Sequence, residues 1–121
     1  MCQGAECVLP EGLRYVDLRV GKGASPQPGH RVFIHYTGWF QGGKRFDTSR
    51  GRRPWSFVWG QNQVIRGYEL GMATMRVGGR RKLLVPAMLA YGEKGFKDII
   101  PPNADLLFDV ELLSLKPAPA R

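Results

Sequence analysis

The stretch Ala90-Tyr91-Gly92-Glu93-Lys94-Gly95-Phe96-Lys97-Asp98-Ile99-Ile100-Pro101-Pro102-Asn103-Ala104-Asp105-Leu106-Leu107-Phe108-Asp109-Val110-Glu111-Leu112-Leu113 decides the fold. Its second half, Ala104 to Leu113, alternates: Leu106, Phe108, Val110 and Leu112 fall on one face of a strand, and Asp109 and Glu111 on the other. Its first half is punctuated by Gly92, Gly95, Pro101 and Pro102 and reads as a loop, yet it carries Tyr91, Phe96, Ile99 and Ile100. Loops run over the surface and are usually polar. Such a loop either covers a pocket or folds onto the core as an apolar plug.

Working outward, the same reading finds strands at Leu13–Val20, His30–Phe40, Arg45–Asp47, Trp55–Trp59 and Arg81–Pro86. Gly42-Gly43 supplies the positive φ angles of a tight hairpin between the second and third of these. Val64–Met75 is the one helix candidate, with Ile65, Tyr68, Met72 and Met75 near a 3.6-residue period. Gly67 and Gly71 weaken it, so packing rather than propensity must hold it. The expected class is α+β: about five antiparallel strands with one short helix on the inner face. Residues 1–11 and 117–121 are expected as flexible tails around one domain, 12–116.

Composition narrows the function. A hydrophobic fraction of 43% in 121 residues suffices for a core, and no apolar run approaches the length of a membrane span. No signal peptide is visible in Met1–Pro10, so a cytoplasmic location is expected, or a periplasmic or exported one if a signal was removed. The net charge of +8 invites a nucleic-acid reading. The basic clusters, Arg50-Gly51-Arg52-Arg53 and Arg80-Arg81-Lys82, are not interleaved with aromatics and read as solvated faces. Specific nucleic-acid binding is not expected; loose, salt-sensitive attraction to polyanions is. Cys2 and Cys7 lack metal-ligand spacing and read as free thiols, though an oxidising compartment could pair them.

Catalytic machinery of the usual kinds is missing from the motifs. His35 is alone in a strand, no serine has an adjacent base, and Val77-Gly78-Gly79 lacks phosphate-cradle spacing. Asp47, in Phe46-Asp47-Thr48-Ser49, is an isolated acid that could equally close a turn. What remains is a set of pocket candidates, Tyr36, Phe46, Trp55, Tyr68, Tyr91 and Phe108, with Ile65, Ile99 and Ile100.

The blocks His35-Tyr36-Thr37-Gly38, Gly43-Lys44-Arg45-Phe46-Asp47-Thr48-Ser49, Val64-Ile65-Arg66-Gly67-Tyr68, Ala90-Tyr91-Gly92, Ile99-Ile100-Pro101-Pro102 and Leu107-Phe108-Asp109-Val110-Glu111-Leu112 resemble the FKBP-type peptidyl-prolyl cis-trans isomerases. The resemblance runs from Leu13 to Leu115 in the family's order and spacing. It implies a five-stranded half-barrel sheet wrapped on a short helix, and a hydrophobic cleft for a proline ring. By motif, Tyr68 forms the floor; Tyr36, Phe46, Trp55 and Phe108 the walls; Val64 and Ile65 the border; and Ala90 is a further implied binding residue. The Ile65 N–H and the Tyr91 hydroxyl would meet substrate carbonyls, Asp47 would pair with Arg52, Phe96 would flank the substrate, and Ile99 and Ile100 would close the lid. Asp47, Tyr91, Phe108 and Tyr36 are the implied catalytic group. No cofactor or metal is implied. The implied partners are proline-containing peptides and macrolides such as rapamycin and tacrolimus, bound by a monomer. Three departures stand out: Tyr68 where the family mostly has Trp, Trp55 where Phe is usual, and Phe96 where a familiar member has His. The segment Arg50–Pro54 is also one residue shorter than in that member, which bears on Arg52. The two rival readings are an adaptor that keeps the cleft without useful turnover, and a holder of unfolded chains. Members with the second role usually carry an inserted flap or an extra domain, and Leu84–Gly92 is too short for an insertion.

Overall fold

The structure, a computed structural model, describes residues 2–3 and 6–117. Among the described residues there are eight strands: β1 Cys2–Gln3, β2 Glu6–Val8, β3 Arg14–Arg19, β4 Arg31–Phe40, β5 Arg45–Thr48, β6 Trp55–Val58, β7 Arg80–Val85 and β8 Leu106–Lys116. One α-helix, α1, spans Arg66–Met72, and a single 3-10 turn, Ala87–Leu89, follows β7. All pairings are antiparallel, in the order β1-β2-β3-β7-β8-β4-β5, with β6 also on β4.

The α+β class and the antiparallel sheet over one helix are as expected. The strand count is eight rather than about five. Part of the difference is β1 and β2, which lie where a tail was expected: they fold back as a hairpin onto β3, with Glu6 opposite Val16. Cys7 is disulfide-bonded, which corrects the reading of free thiols, and the register places Cys2 opposite it. Of the C-terminal tail expected over 117–121, residues 118–121 lie outside the described residues.

The alternation in β8 does what its pattern predicts. Leu106, Phe108, Val110 and Leu112 are at most 4% exposed and face α1, together with Val32 and Ile34 of β4 and Leu83 and Val85 of β7. The opposite face is not simply solvated. Asp109 is buried under a bidentate Arg80 pair at 2.8 and 2.9 Å, and Glu111 accepts from Arg19 at 2.7 Å and Arg50 at 2.9 Å. Arg81, expected in a solvated cluster, points inward and is 4% exposed. It bonds Asp17 at 2.7 Å and both the Gly71 carbonyl and Thr74 at 2.8 Å, with its guanidinium over the Tyr15 ring. A buried cation is tolerable only when so fully partnered.

The helix is shorter than the expected Val64–Met75, and its glycines have a packing reason. A Cβ on Gly67 would lie 2.4 Å from a Val85 methyl, and one on Gly71 2.7 Å from a Leu83 methyl. The helix therefore rests directly on β7, and what Gly costs in propensity is offset by close approach. That placement sets Tyr68 against β8.

Candidate functional site

The sheet leaves an opening at one place. One edge of β4 carries β6 along Arg31–Ile34 and β5 along Thr37–Trp39. Between them, at Tyr36, the chain from β5 to β6 leaves the sheet. A cleft of about 470 Å³ opens there, within the usual range of small-ligand sites.

Its floor is Tyr68 of α1, 4% exposed, whose ring meets Phe108 of β8 edge-on at 4.9 Å and Tyr36 of β4 at 6.5 Å. Phe46 of β5 stands edge-on to Phe108 at 5.8 Å. These two rings converge over Gly38, where a Cβ would come within 2.6 Å of Phe46 and 3.0 Å of Phe108. Trp55, at the start of β6, is 40% exposed and meets Tyr36 edge-on at 5.7 Å. Edge-to-face contacts of this kind align a positive ring edge with a negative face and hold the rings in set orientations.

The loop after the 3-10 turn forms the remaining wall. Its paired rings, Tyr91 and Phe96 at 5.2 Å, line the cleft. The loop is fastened by Gly92 N–H to the Ala87 carbonyl, Asn103 N–H to the Gly92 carbonyl, and a two-way bridge between Phe96 and Ile100. Ile100 is 3% exposed and packs into the core, while Ile99 is 50% exposed. Neither lines the cleft, so the loop is a pocket wall at Tyr91 and Phe96 and a core plug at Ile100. Ala90 packs against the core and likewise does not line the cleft.

Val64 and Ile65 border the cleft at the start of α1. Ile65 is the helix cap in extended conformation, and the first helical bond is Tyr68 N–H to its carbonyl. The Ile65 N–H thus stands outside the helical ladder. Two further lining residues, Asn62 and Gln63, were missed by the sequence reading. They sit in a turn fixed by the Val58 N–H to Gln63 Oε1 bond at 2.9 Å. The only available signal was a pair of polar residues in what read as a turn.

Asp47 is the one carboxylate in the cleft. Its Oδ2 accepts from the Tyr36 hydroxyl at 2.7 Å, and its Oδ1 from the Thr48 N–H at 2.8 Å and Arg52 at 3.3 Å. Arg52 also donates to the Thr48 carbonyl and lies in an adjoining depression rather than in the cleft. Burial raises the phenol of Tyr36, reinforced by its bond to Asp47; burial also raises Tyr68 and Tyr91. All three stay protonated at neutral pH and can act as donors. Among the described residues no group of His, Cys, Asp and Glu is placed to hold a metal.

An aromatic cleft with phenol donors, a backbone N–H outside the helical ladder and no Ser, Cys, His or Lys among its lining residues suits non-covalent work on an apolar group. The comparisons agree. Residues 22–113 match the family model described as FKBP-type peptidyl-prolyl cis-trans isomerase, and the chain belongs to that family. It is 53% identical over 106 residues to FK506-binding protein 4 of Dictyostelium discoideum, covering 88% of this chain and 29% of that protein. It is 43% identical to the FK506-binding protein of Neisseria meningitidis serogroup B, covering 86% of this chain and 96% of that one. The crystal structure of FkpA from Escherichia coli superposes with a TM-score of 0.88 at 41% identity, covering 97% of this chain and 54% of the other. The chain thus spans under a third of the Dictyostelium relative. Among the described residues no helix is long and apolar enough to cross a membrane.

Proposed function

We propose that the chain accelerates cis–trans rotation about X-Pro bonds in protein substrates, assisting their folding, without a covalent step. The observation that carries this is the aromatic cleft over Tyr68, with Asp47 as its only acid. The barrier to rotation is roughly 18–20 kcal/mol, because twisting breaks amide resonance. In the twisted state the carbonyl loses negative charge, so a cleft poor in water disfavours it less than it disfavours the planar amide. A thousandfold acceleration needs only about 4 kcal/mol of such differential binding.

In this reading Tyr68 supports the proline ring, and Tyr36, Phe46, Trp55 and Phe108 enclose it. Val64 and Ile65 border it, the Ile65 N–H and Tyr91 hydroxyl bind flanking carbonyls, and Asp47 orients Tyr36 or meets the twisted carbonyl region. Phe96 flanks the residue before proline, which favours an apolar residue there. Macrolides such as rapamycin and tacrolimus would occupy the same cleft, and the chain would act as a monomer, with the β1–β2 hairpin part of its domain. The disulfide at Cys7 favours an oxidising compartment over the cytoplasmic placement.

A protease-coupled assay on peptides with Leu or Phe before proline, with and without rapamycin, tests this. Fast turnover that rapamycin abolishes is the expected result. Tight rapamycin binding without turnover would leave only the adaptor reading, and absence of both would remove the cleft assignment.

A further inference from the structure

Beside the cleft lies a second depression of about 200 Å³, lined by Ser49, Arg52, Arg53 and Pro54 together with Tyr36, Asp47 and Trp55. The last three also line the cleft, so the two spaces are contiguous. A peptide seated on Tyr68 and running past Trp55 would lay a neighbouring side chain there.

The charges of this depression do not cancel. Two arginines, Arg52 and Arg53, line it against one carboxylate, Asp47. That carboxylate is already occupied by the Tyr36 hydroxyl, the Thr48 N–H and Arg52. Arg52 is 69% exposed and contacts Asp47 only at 3.3 Å. Arg53 is exposed and, like Arg31, Arg45 and Arg76, has no ion pair among the described residues, but of these four only Arg53 lines the depression. The segment that carries the two is tied back to β4 and to itself by backbone hydrogen bonds. Ser49 N–H bonds the Tyr36 carbonyl at 2.9 Å and Arg52 N–H the Ser49 carbonyl at 3.0 Å. Gly51 takes the positive φ of 86° that such a turn reserves for glycine, and Pro54 restrains the backbone at Arg53.

We propose that this depression is a subsite for an anionic side chain, carboxylate or phosphate, on a residue flanking the substrate proline. The proposal rests on the isomerase reading above. Each guanidinium is a fork that matches either anion in a bidentate geometry, and the depression is lined by two of them, an uncommitted Arg53 and a half-committed Arg52, at the edge of the reaction site. The preference is for residues near the proline, since the apolar walls reserve the cleft itself for the ring.

The test is kcat/KM on matched X-Pro peptides carrying Gln, Glu, Ser or phosphoserine at each flanking position in turn. Glu should exceed Gln by about threefold at one position, the size expected of an exposed ion pair, and phosphoserine should exceed Ser by more. The advantage should fade at about 0.5 M salt, persist in Arg53→Lys and reverse in Arg53→Glu. A gain for phosphoserine alone would assign the subsite to phosphate, and gains for both to anions in general. Equal values for both pairs at every position, with turnover intact, would overturn the subsite and leave the isomerase reading standing. Should no peptide turn over, the isomerase reading fails, and the Kd ratios of the same pairs by calorimetry decide the subsite on their own.

Discussion

The Tyr36 hydroxyl donates to Asp47 over 2.7 Å at the mouth of the cleft, where Trp55 leans on the same tyrosine ring. Tyr36→Phe keeps the ring and removes one bond to a charged acceptor, typically worth about 1.5–3 kcal/mol when shielded. Asp47 is 44% exposed in its side chain and keeps the Thr48 N–H, so the expected loss falls below that range, about 1 kcal/mol, read as a lower midpoint in urea. Turnover should fall with KM little changed if the bond orients Asp47 for the twisted state; a change in KM alone would assign it to ground-state binding. Gly38→Ala acts differently. Its Cβ would intrude on Phe46 and Phe108 together, so the rings must part. The expected result is a stability loss of about 1–3 kcal/mol and a raised KM, measured in the same unfolding and turnover assays. Much of this residue-level picture was legible. The aromatics of the cleft stand out because nothing else in the chain explains so many at strand ends and in a Gly/Pro-rich loop. Ile99 and Ile100 read as twins, yet a bridge to Phe96 turns Ile100 inward and leaves Ile99 outside, and no sequence period records such a bridge.

At the scale of elements, α1 shows why propensity misleads. Seven residues with two glycines make a poor helix in isolation. Gly67→Ala should gain up to about 1 kcal/mol of intrinsic propensity but force a Cβ to 2.4 Å from Val85, at a cost of about 1–3 kcal/mol. The loss should win: thermal denaturation should show a lower midpoint, and an unchanged or higher one would mean that α1 can lift off β7. The long strands β4 and β8 were readable because their alternation spans many residues. The β1–β2 hairpin was not, since its strands of two and three residues carry no period and depend on β3 for pairing. The run Arg80-Arg81-Lys82 shows a third limit: a strand sends alternate residues to opposite faces, so one cation of the three is buried and fully partnered while its neighbour Arg80 clamps Asp109 on the outer side.

For the molecule as a whole, that outer face ties distant parts of the chain together. Glu111 of β8 holds Arg19 from the edge of β3 and Arg50 from the turn beside the cleft. Burial works to raise its pKa, but the hydrogen bonds from Arg50 and Arg19 outweigh it, and the net shift is downward. The folded state therefore holds this proton less tightly than the unfolded chain, so its contribution to stability is present above the ordinary carboxylate range and is lost as pH falls through the lowered value. The melting temperature should drop in acid, and Glu111→Gln should drop less over that same interval; parallel curves would show that the pairs contribute nothing. High salt should shrink the difference. The strand that carries Glu111 and Phe108 is central in space and the last of the described strands in sequence, joining residue 31 to residue 116 in register. A topology dominated by such distant pairings folds slowly. During synthesis, β4 and β7 wait without a common neighbour until Leu106–Lys116 has left the ribosome, and until then Tyr68 has no Phe108 to rest against. Half-made chains thus lack the Tyr68–Phe108 contact under the cleft, and on the isomerase reading proposed above any nascent segment that precedes β8 must find its own way past its prolines without help from the domain it is building.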